Sequence, residues 1–425
     1  MGFKIEGLGT ATPKYGVAQE DAAAIAETLT GDTESRSRVI SGLYRRSGVR
    51  FRHSVAVESG RPGRDNVKQN GESESLTRAD ASIPAAESEE GLAVATMDSI
   101  QTGLLRHVEH QQSVTQSFYP PASGPDDRGP STATRLNAYE KHAGPLAIVA
   151  ARRAIESAGW QANEVTHLIT VSCTGFAAPG IDLALITGCG LNLGVQRTHI
   201  GFMGCHGAIN GLRVAKAFAE ADPNARLLIC AVELCSLHQQ YGWDPEHIVS
   251  NALFADGAAA VVGQRTSNAS SVSENRSERA PSVTATGSTL LAETDDLMGW
   301  RIGDHGFEMS LSAQVPAVIE RSLREWMTQW LAEHDLTIDR VRNWAIHPGG
   351  PKILRSCANA LSLEESQWAA STSVLADFGN MSSPTVLFVL ERLLDSDLSL
   401  GGDGSFPCVM LAFGPGLSIE AVLLR

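Results

Sequence analysis

The chain has 425 residues, 43% hydrophobic and 19% charged, with a formal net charge of −14. That is enough for two lobes, because single cores stop growing at about 250–300 residues. The acidic balance argues against nucleic acid and anionic membrane surfaces as partners, so an anionic ligand must be met by a local basic patch. No apolar stretch approaches the roughly 18 residues of a membrane span. The opening MGFKIEGLGTATPKYG has no export signal, and a cytoplasmic location is expected.

Taken from the N-terminus, the first charged cluster is LYRRSGVRFRH, with Arg45, Arg46, Arg50 and Arg52. From Val55 to about Pro121 the composition turns to Ser, Glu, Gly and Asn, which reads as an exposed insertion with a short helical pattern over Leu92 to Val108. The runs HLITVSC, LALITGCGL, RTHIGF, RLLICAVEL and AAAVVG follow, and a second polar stretch, TSNASSVSENRSERAPS, begins at Thr266. Beyond it come the amphipathic VPAVIERSLREWMTQWLAEH, then RNWAIHP, PTVLFVLERLL, PCVMLAFGPG and SIEAVLL. Short buried strands alternating with helices predict an α/β sheet covered on both faces. The expected divisions are an N-terminal half at 1–265, interrupted at about 55–121, a polar loop at 266–283 and a C-terminal half at 284–425.

The halves echo one another. In the first, a Gly-Cys turn opens a helix that returns to RLLICAVEL; in the second, the Gly379-Asn380 turn opens PTVLFVLERLL, which returns to PCVMLAFGPG. The seven cysteines are odd in number and form no CxxC pair, so neither a disulfide framework nor a zinc site is indicated.

Three residues at the ends of regular elements have the types used in acyl transfer. Cys205 lies in GFMGCHGAINGLRVAK, at the expected first turn of a buried helix, where unpaired N–H groups and the helix dipole favour thiolate. His347 ends the short apolar strand of WAIHPGGPKIL, and Asn380 precedes the helix of DFGNMSSPTVLFVL. Each also has a plainer reading: a small buried thiol, a core histidine, a helix N-cap.

Together, GFMGCHGAINGLRVAK, NALFADGAAAVVG, AIHPGGPKIL, DFGNMSSPTVLFVL and AFGPGLSIEAVLL resemble, in order and spacing, the type III polyketide synthases of the chalcone synthase-like family. The resemblance implies a thiolase-like fold of two related βαβαβ halves forming a layered α-β-α-β-α core. It implies that Cys205 carries the acyl chain and that His347 and Asn380 stabilise the enolate left when malonyl-CoA loses CO₂, each well-placed donor being worth about 3–4 kcal/mol. It further implies acyl-CoA and malonyl-CoA as substrates, a homodimer, and no metal or organic cofactor.

Phe254 and Met309 fall where the family has two aromatic gatekeepers; Met309 departs from that pattern. Trp300, Cys173, Cys235, His238 and Ser382 fall at expected cavity positions, Cys173 resembling the second cysteine of bacterial members. Arg45, Arg46, Arg50 and Arg52 fall in the basic CoA-binding segment. Two other readings share parts of this pattern: an initiating β-ketoacyl-carrier-protein synthase making one condensation, and a catalytically dead thiolase-fold binding protein. GNMSSP and AFGPG favour the polyketide synthase over the former, and the complete Cys, His, Asn set argues against the latter.

Overall fold

The computed structural model describes residues 2–30, 34–59, 61–62, 114–266, 280–399 and 406–425. Most of the first polar stretch, including Leu92 to Val108, and 267–279 of the second lie outside the described residues. The strands are β1 Phe3–Ala11, β2 Tyr15–Ala18, β3 Phe51–His53, β4 Arg61–Pro62, β5 His167–Ser172, β6 Gln196–Gly201, β7 Arg226–Leu234, β8 Asp256–Arg265, β9 Ser282–Leu290, β10 Met298–Gly303, β11 Gly306–Leu311, β12 Asn343–Ile346, β13 Cys408–Gly414 and β14 Ser418–Leu424. The helices are α1 Gln19–Thr28, α2 Glu34–Arg46, α3 Thr132–Ser157, α4 Ile181–Cys189, α5 Gly207–Ala221, α6 Pro245–Leu253, α7 Val315–Ala332, α8 Pro351–Leu361, α9 Glu365–Phe378 and α10 Thr385–Ser399.

Nine strands form one mixed sheet in the order β12-β13-β14-β9-β1-β8-β7-β5-β6. Its halves meet at the pairs Phe3↔Val283 and Lys4↔Ser282, with the Ile5 N–H donating to the Pro281 carbonyl at 2.8 Å beside them. On one side of this seam β1, β8 and β7 run antiparallel and β7, β5 and β6 parallel. On the other, β9, β14 and β13 run antiparallel and β13 and β12 parallel. The echo in the sequence is therefore an echo in topology, except that among the described residues the second half has no counterpart of β6. Ahead of the helix α10, Asn380 makes an isolated bridge with Phe254.

Side-chain alternation along the strands builds the layers. Leu228, Cys230 and Val232 of β7 pack against Ala147, Ala150 and Ala154 of α3, whereas Leu227, Ile229 and Ala231 turn to the opposite face, beside Ile209 and Leu212 of α5 and Val386 and Leu390 of α10. The second half repeats the pattern: Met410 and Ala412 of β13 join the α5/α10 cluster, while Val409 and Leu411 face α7 and α8. The result is helix, sheet, helix, sheet, helix, with α5 and α10 enclosed at the centre. Glycine lets α3 sit close on β1, since a Cβ at Gly7 would lie 2.1 Å from the Ala154 carbonyl oxygen.

At one edge of the sheet β12 is covered by α9, whose Ser371 hydroxyl accepts the Ile346 N–H at 3.0 Å. At the other, β6 pairs with β5 alone and alternates exposed and half-buried residues. A three-stranded sheet, β3-β2-β4, and the hairpin β10-β11 flank the core. The tail of the first polar stretch is anchored: Tyr119 is buried and donates to the Ser236 carbonyl at 2.6 Å. No helix among the described residues is long and apolar enough to cross a membrane.

Candidate active site

Cys205 lies in a short 3-10 turn, Gly204–His206, immediately ahead of α5, one step before the helical turn expected from the sequence. Gly204 has φ +68°, and a Cβ there would come 2.6 Å from the Pro415 ring, so the Gly-Pro-Gly loop after β13 presses on the cysteine turn. His206 ties the two together, its Nδ1 bonding Asn210 Oδ1 at 2.7 Å and its Nε2 the Ser418 hydroxyl at 2.8 Å.

Asn380 is buried between Phe254 and α10. Its backbone N–H donates to the Leu253 carbonyl and its carbonyl accepts the Ala255 N–H, both at 2.9 Å. Its side-chain oxygen accepts the Ser382 N–H at 2.8 Å. With the oxygen committed, the Nδ2 end is the one left to donate, and Asn380 acts to lower the Cys205 pKa. Ser382 has φ +56°, an unusual conformation for a non-glycine residue, and its hydroxyl donates to Cys205 Sγ at 3.6 Å.

His347 follows β12, its N–H continuing the ladder to the Leu411 carbonyl at 2.7 Å. The ring is 2% exposed, and neither nitrogen has a hydrogen-bond partner among the described residues. The charged neighbour that acts on it is His206, the residue after Cys205. Burial drives the imidazole down to about 3, with His206 adding to the effect. Burial also raises the Cys205 thiol to about 11, against the opposing hydrogen bonds of Ser382 and Asn380. Both shifts favour the neutral forms, Cys205 away from the thiolate expected at a helix terminus.

Cys205, Cys173, Cys235, Phe254, Trp300, Met309 and Ser382 face one cavity, together with Thr174, Met298 and Pro415. Trp300 and Met309 are directly opposed across β10-β11, and Trp300 Nε1 donates to the Cys173 carbonyl at 2.7 Å. His238 lines an adjoining lobe with both ring nitrogens engaged. Nε2 donates to the Thr174 carbonyl at 2.6 Å and Nδ1 accepts the Phe307 N–H at 3.0 Å. It is consequently a fixed wall, stacked on Phe307 at 4.2 Å.

The residue missed in the sequence is Glu233. Fully buried at the end of β7, it accepts from Cys173 Sγ at 3.1 Å, Thr174 Oγ1 at 2.7 Å and Ser383 Oγ at 2.6 Å, and from the Cys173 and Thr174 N–H groups. Burial raises its carboxyl pKa against those bonds. Cys173 Sγ also contacts Ser382 Oγ at 3.4 Å, so Ser382 stands between the two thiols. A lone carboxylate closing the apolar RLLICAVEL was the available signal.

Of the four arginines, Arg45 and Arg46 are exposed in the last turn of α2. Arg50 is exposed and bonded to Asp377 at 2.6 Å. Arg52 departs from the surface cluster: it is 3% exposed, and its guanidinium points inward to the Asn251 and Phe254 carbonyls.

Fold and cavity define a thiolase-like α/β protein in which the Cys205 thiol shares one cavity with the Ser382 hydroxyl and a second thiol, Cys173. The N-terminal domain of chalcone and stilbene synthases matches residues 125–265, and the C-terminal domain of that family matches 282–425. The alpha-pyrone synthesis polyketide synthase-like Pks18 of Mycobacterium tuberculosis is 34% identical over 297 residues, 70% of this chain and 74% of that protein. The 1,3,6,8-tetrahydroxynaphthalene synthase of Streptomyces peucetius subsp. caesius is 38% identical over 280 residues, 66% of this chain and 72% of its own. The crystal structure of PKS-I from the brown alga Ectocarpus siliculosus superposes with a TM-score of 0.78 at 29% identity, covering 100% of this chain and 99% of that one. The chain belongs to the chalcone and stilbene synthase family. It is a type III polyketide synthase, an acyltransferase that works by iterative condensation of malonyl-CoA.

Proposed function

We propose that Cys205 is the acyl carrier and that Asn380 and His347 form the decarboxylation pair. The Cys205 sulfur, its proton passing to His347, attacks the thioester carbonyl of a starter acyl-CoA; the bond to CoA sulfur breaks and CoA leaves as the thiol. Malonyl-CoA then loses CO₂, and the electron pair of the broken C–C bond forms an enolate with its charge on the thioester oxygen. Asn380 Nδ2–H and His347 N–H donate to that oxygen. The enolate carbon bonds to the acyl carbon, the bond to Cys205 breaks, and the lengthened chain, now on CoA, returns to the cysteine until it cyclises or is released as a pyrone, resorcinol or chalcone-type product.

The observation that supports this most directly is the Asn380 carboxamide, its oxygen held by Ser382 N–H, which leaves the Nδ2 end to donate beside a Ser382 hydroxyl that contacts the Cys205 sulfur at 3.6 Å. The unpartnered His347 nitrogens add to it, because buried polar groups without partners are rare and expensive. Asn380→Asp keeps the shape and replaces the donor with an acceptor. Malonyl-CoA decarboxylation is expected to fall by about 10²–10³, while acylation of Cys205 by a starter, followed by protein mass, persists. Undiminished CO₂ release would overturn the assignment.

The 1–265 and 284–425 halves each supply part of this centre. Arg45 and Arg46 are proposed to meet the CoA phosphates, and Phe254 and Met309 to flank the passage to the cavity. A homodimer is supported by the open edge of β6 and by exposed Phe176, Leu183, Leu193 and Met203 in the segments around it.

A further inference from the structure

We infer that Arg52 is a positioning residue that holds Asn380 and Phe254 in register, an inference that rests on the role proposed above for Asn380. The side chain leaves β3 for the interior, where the Tyr44 ring covers its guanidinium at 5.5 Å from the centroid. Its Nη1 donates to the carbonyls of Asn251 and Phe254, the latter at 2.9 Å. These oxygens belong to the end of α6, where carbonyls have no intrahelical partner. Asp256 lies fully buried two residues beyond Phe254. Its carboxylate accepts the Val55 N–H at 2.7 Å, the Ser236 N–H at 2.7 Å and the Ser236 hydroxyl at 2.6 Å.

The same strand grips the other side of the bridge. A Cβ on Gly379, at φ +73°, would lie 3.0 Å from the Leu253 carbonyl oxygen and 3.4 Å from Arg52 Cβ, so this residue is pinched between α6 and β3. Arg50 N–H donates to the Ala376 carbonyl at 2.8 Å, and His53 stacks on Phe378 at 6.3 Å. Asn380, next in the chain, is paired by its backbone to Leu253 and Ala255. One three-residue strand thus backs both the Phe254 segment and the turn that carries the carboxamide. Losing the guanidinium leaves two carbonyls without their donor and frees the bridge to shift, and a displacement of about 1 Å costs on the order of 10²-fold in rate.

The test is a cycle of Arg52→Gln and Asn380→Ala read by malonyl-CoA decarboxylation. Arg52→Gln alone is expected to lower kcat about tenfold or more with KM changed by less than roughly threefold. In the Asn380→Ala background the same substitution is expected to produce almost no further loss. Arg52→Lys, which keeps the charge and a donor, is expected to recover part of the rate, and it replaces Arg52→Gln in the cycle if thermal melts show that the latter does not fold. An equal loss in both backgrounds, or no loss from Arg52→Gln, overturns the positioning role and leaves the Asn380 assignment standing. Full activity in Asn380→Ala alone overturns that assignment, and the inference with it.

Discussion

An amide donates or accepts according to which of its ends is already occupied, and at Asn380 the choice is made by the next-but-one residue. Ser382 serves twice, its N–H orienting the carboxamide and its hydroxyl contacting the Cys205 sulfur. That hydroxyl lowers the thiol pKa, which burial has raised to about 11, so Ser382→Ala is expected to raise it further. Below that pKa the thiolate fraction falls tenfold per unit of pKa increase. Iodoacetamide alkylation of Cys205 at about pH 8 is therefore expected to slow by several-fold; unchanged labelling kinetics would remove Ser382 from the account. Residue identity here was readable from sequence, and residue environment was not. Arg52 sat in a run of basic residues and looked like surface, but the carbonyls that draw it inward lie 199 and 202 positions away. Cys205 looked like a thiolate because helix polarity is local and legible, whereas its desolvation comes from the whole fold.

Elements were more legible than their roles. The apolar runs that became β5, β7, β8, β13 and β14 are buried along nearly their whole length, as continuous hydrophobic segments require. Nothing in DFGNMSSP revealed that Asn380 would bridge to Phe254 in the other half. The central helix α10 carries its own pH sensitivity. Its Glu391, partly buried, accepts from Thr10 Oγ1 at 2.7 Å. Burial raises the carboxyl to about 7, with Asp395 adding and Thr10, Arg153 and Arg392 opposing. A carboxyl raised in the folded state contributes stability that is complete below the ordinary value of 4.5 and is lost as pH rises through about 7. Glu391→Gln is thus expected to melt like the parent near pH 5 and higher than it near pH 8, by roughly 2–4 °C per kcal/mol. Melting curves that differ equally at both pH values would refute this.

For the whole molecule, a sheet covered on both faces and two related halves followed from strand pattern and the internal echo, while the five-layer arrangement and assembly were legible only through family resemblance. The structure adds physical grounds in β6 and its apolar surroundings. Replacing Leu183 and Leu193, 39% and 88% exposed, by Glu together is expected to convert a particle of twice the chain mass to single chains in light scattering. A parent that already runs as one chain at micromolar concentration would dispose of the dimer.

The unequal ends of the large sheet have a consequence for how growth stops. With β12 sealed by Ser371 of α9 and β6 open, among the described residues each molecule offers a single unsealed border. In the proposed homodimer, two such borders joined about a two-fold axis would consume each other, leaving none to recruit a third molecule, so lateral association would terminate at a pair instead of running on into a fibre.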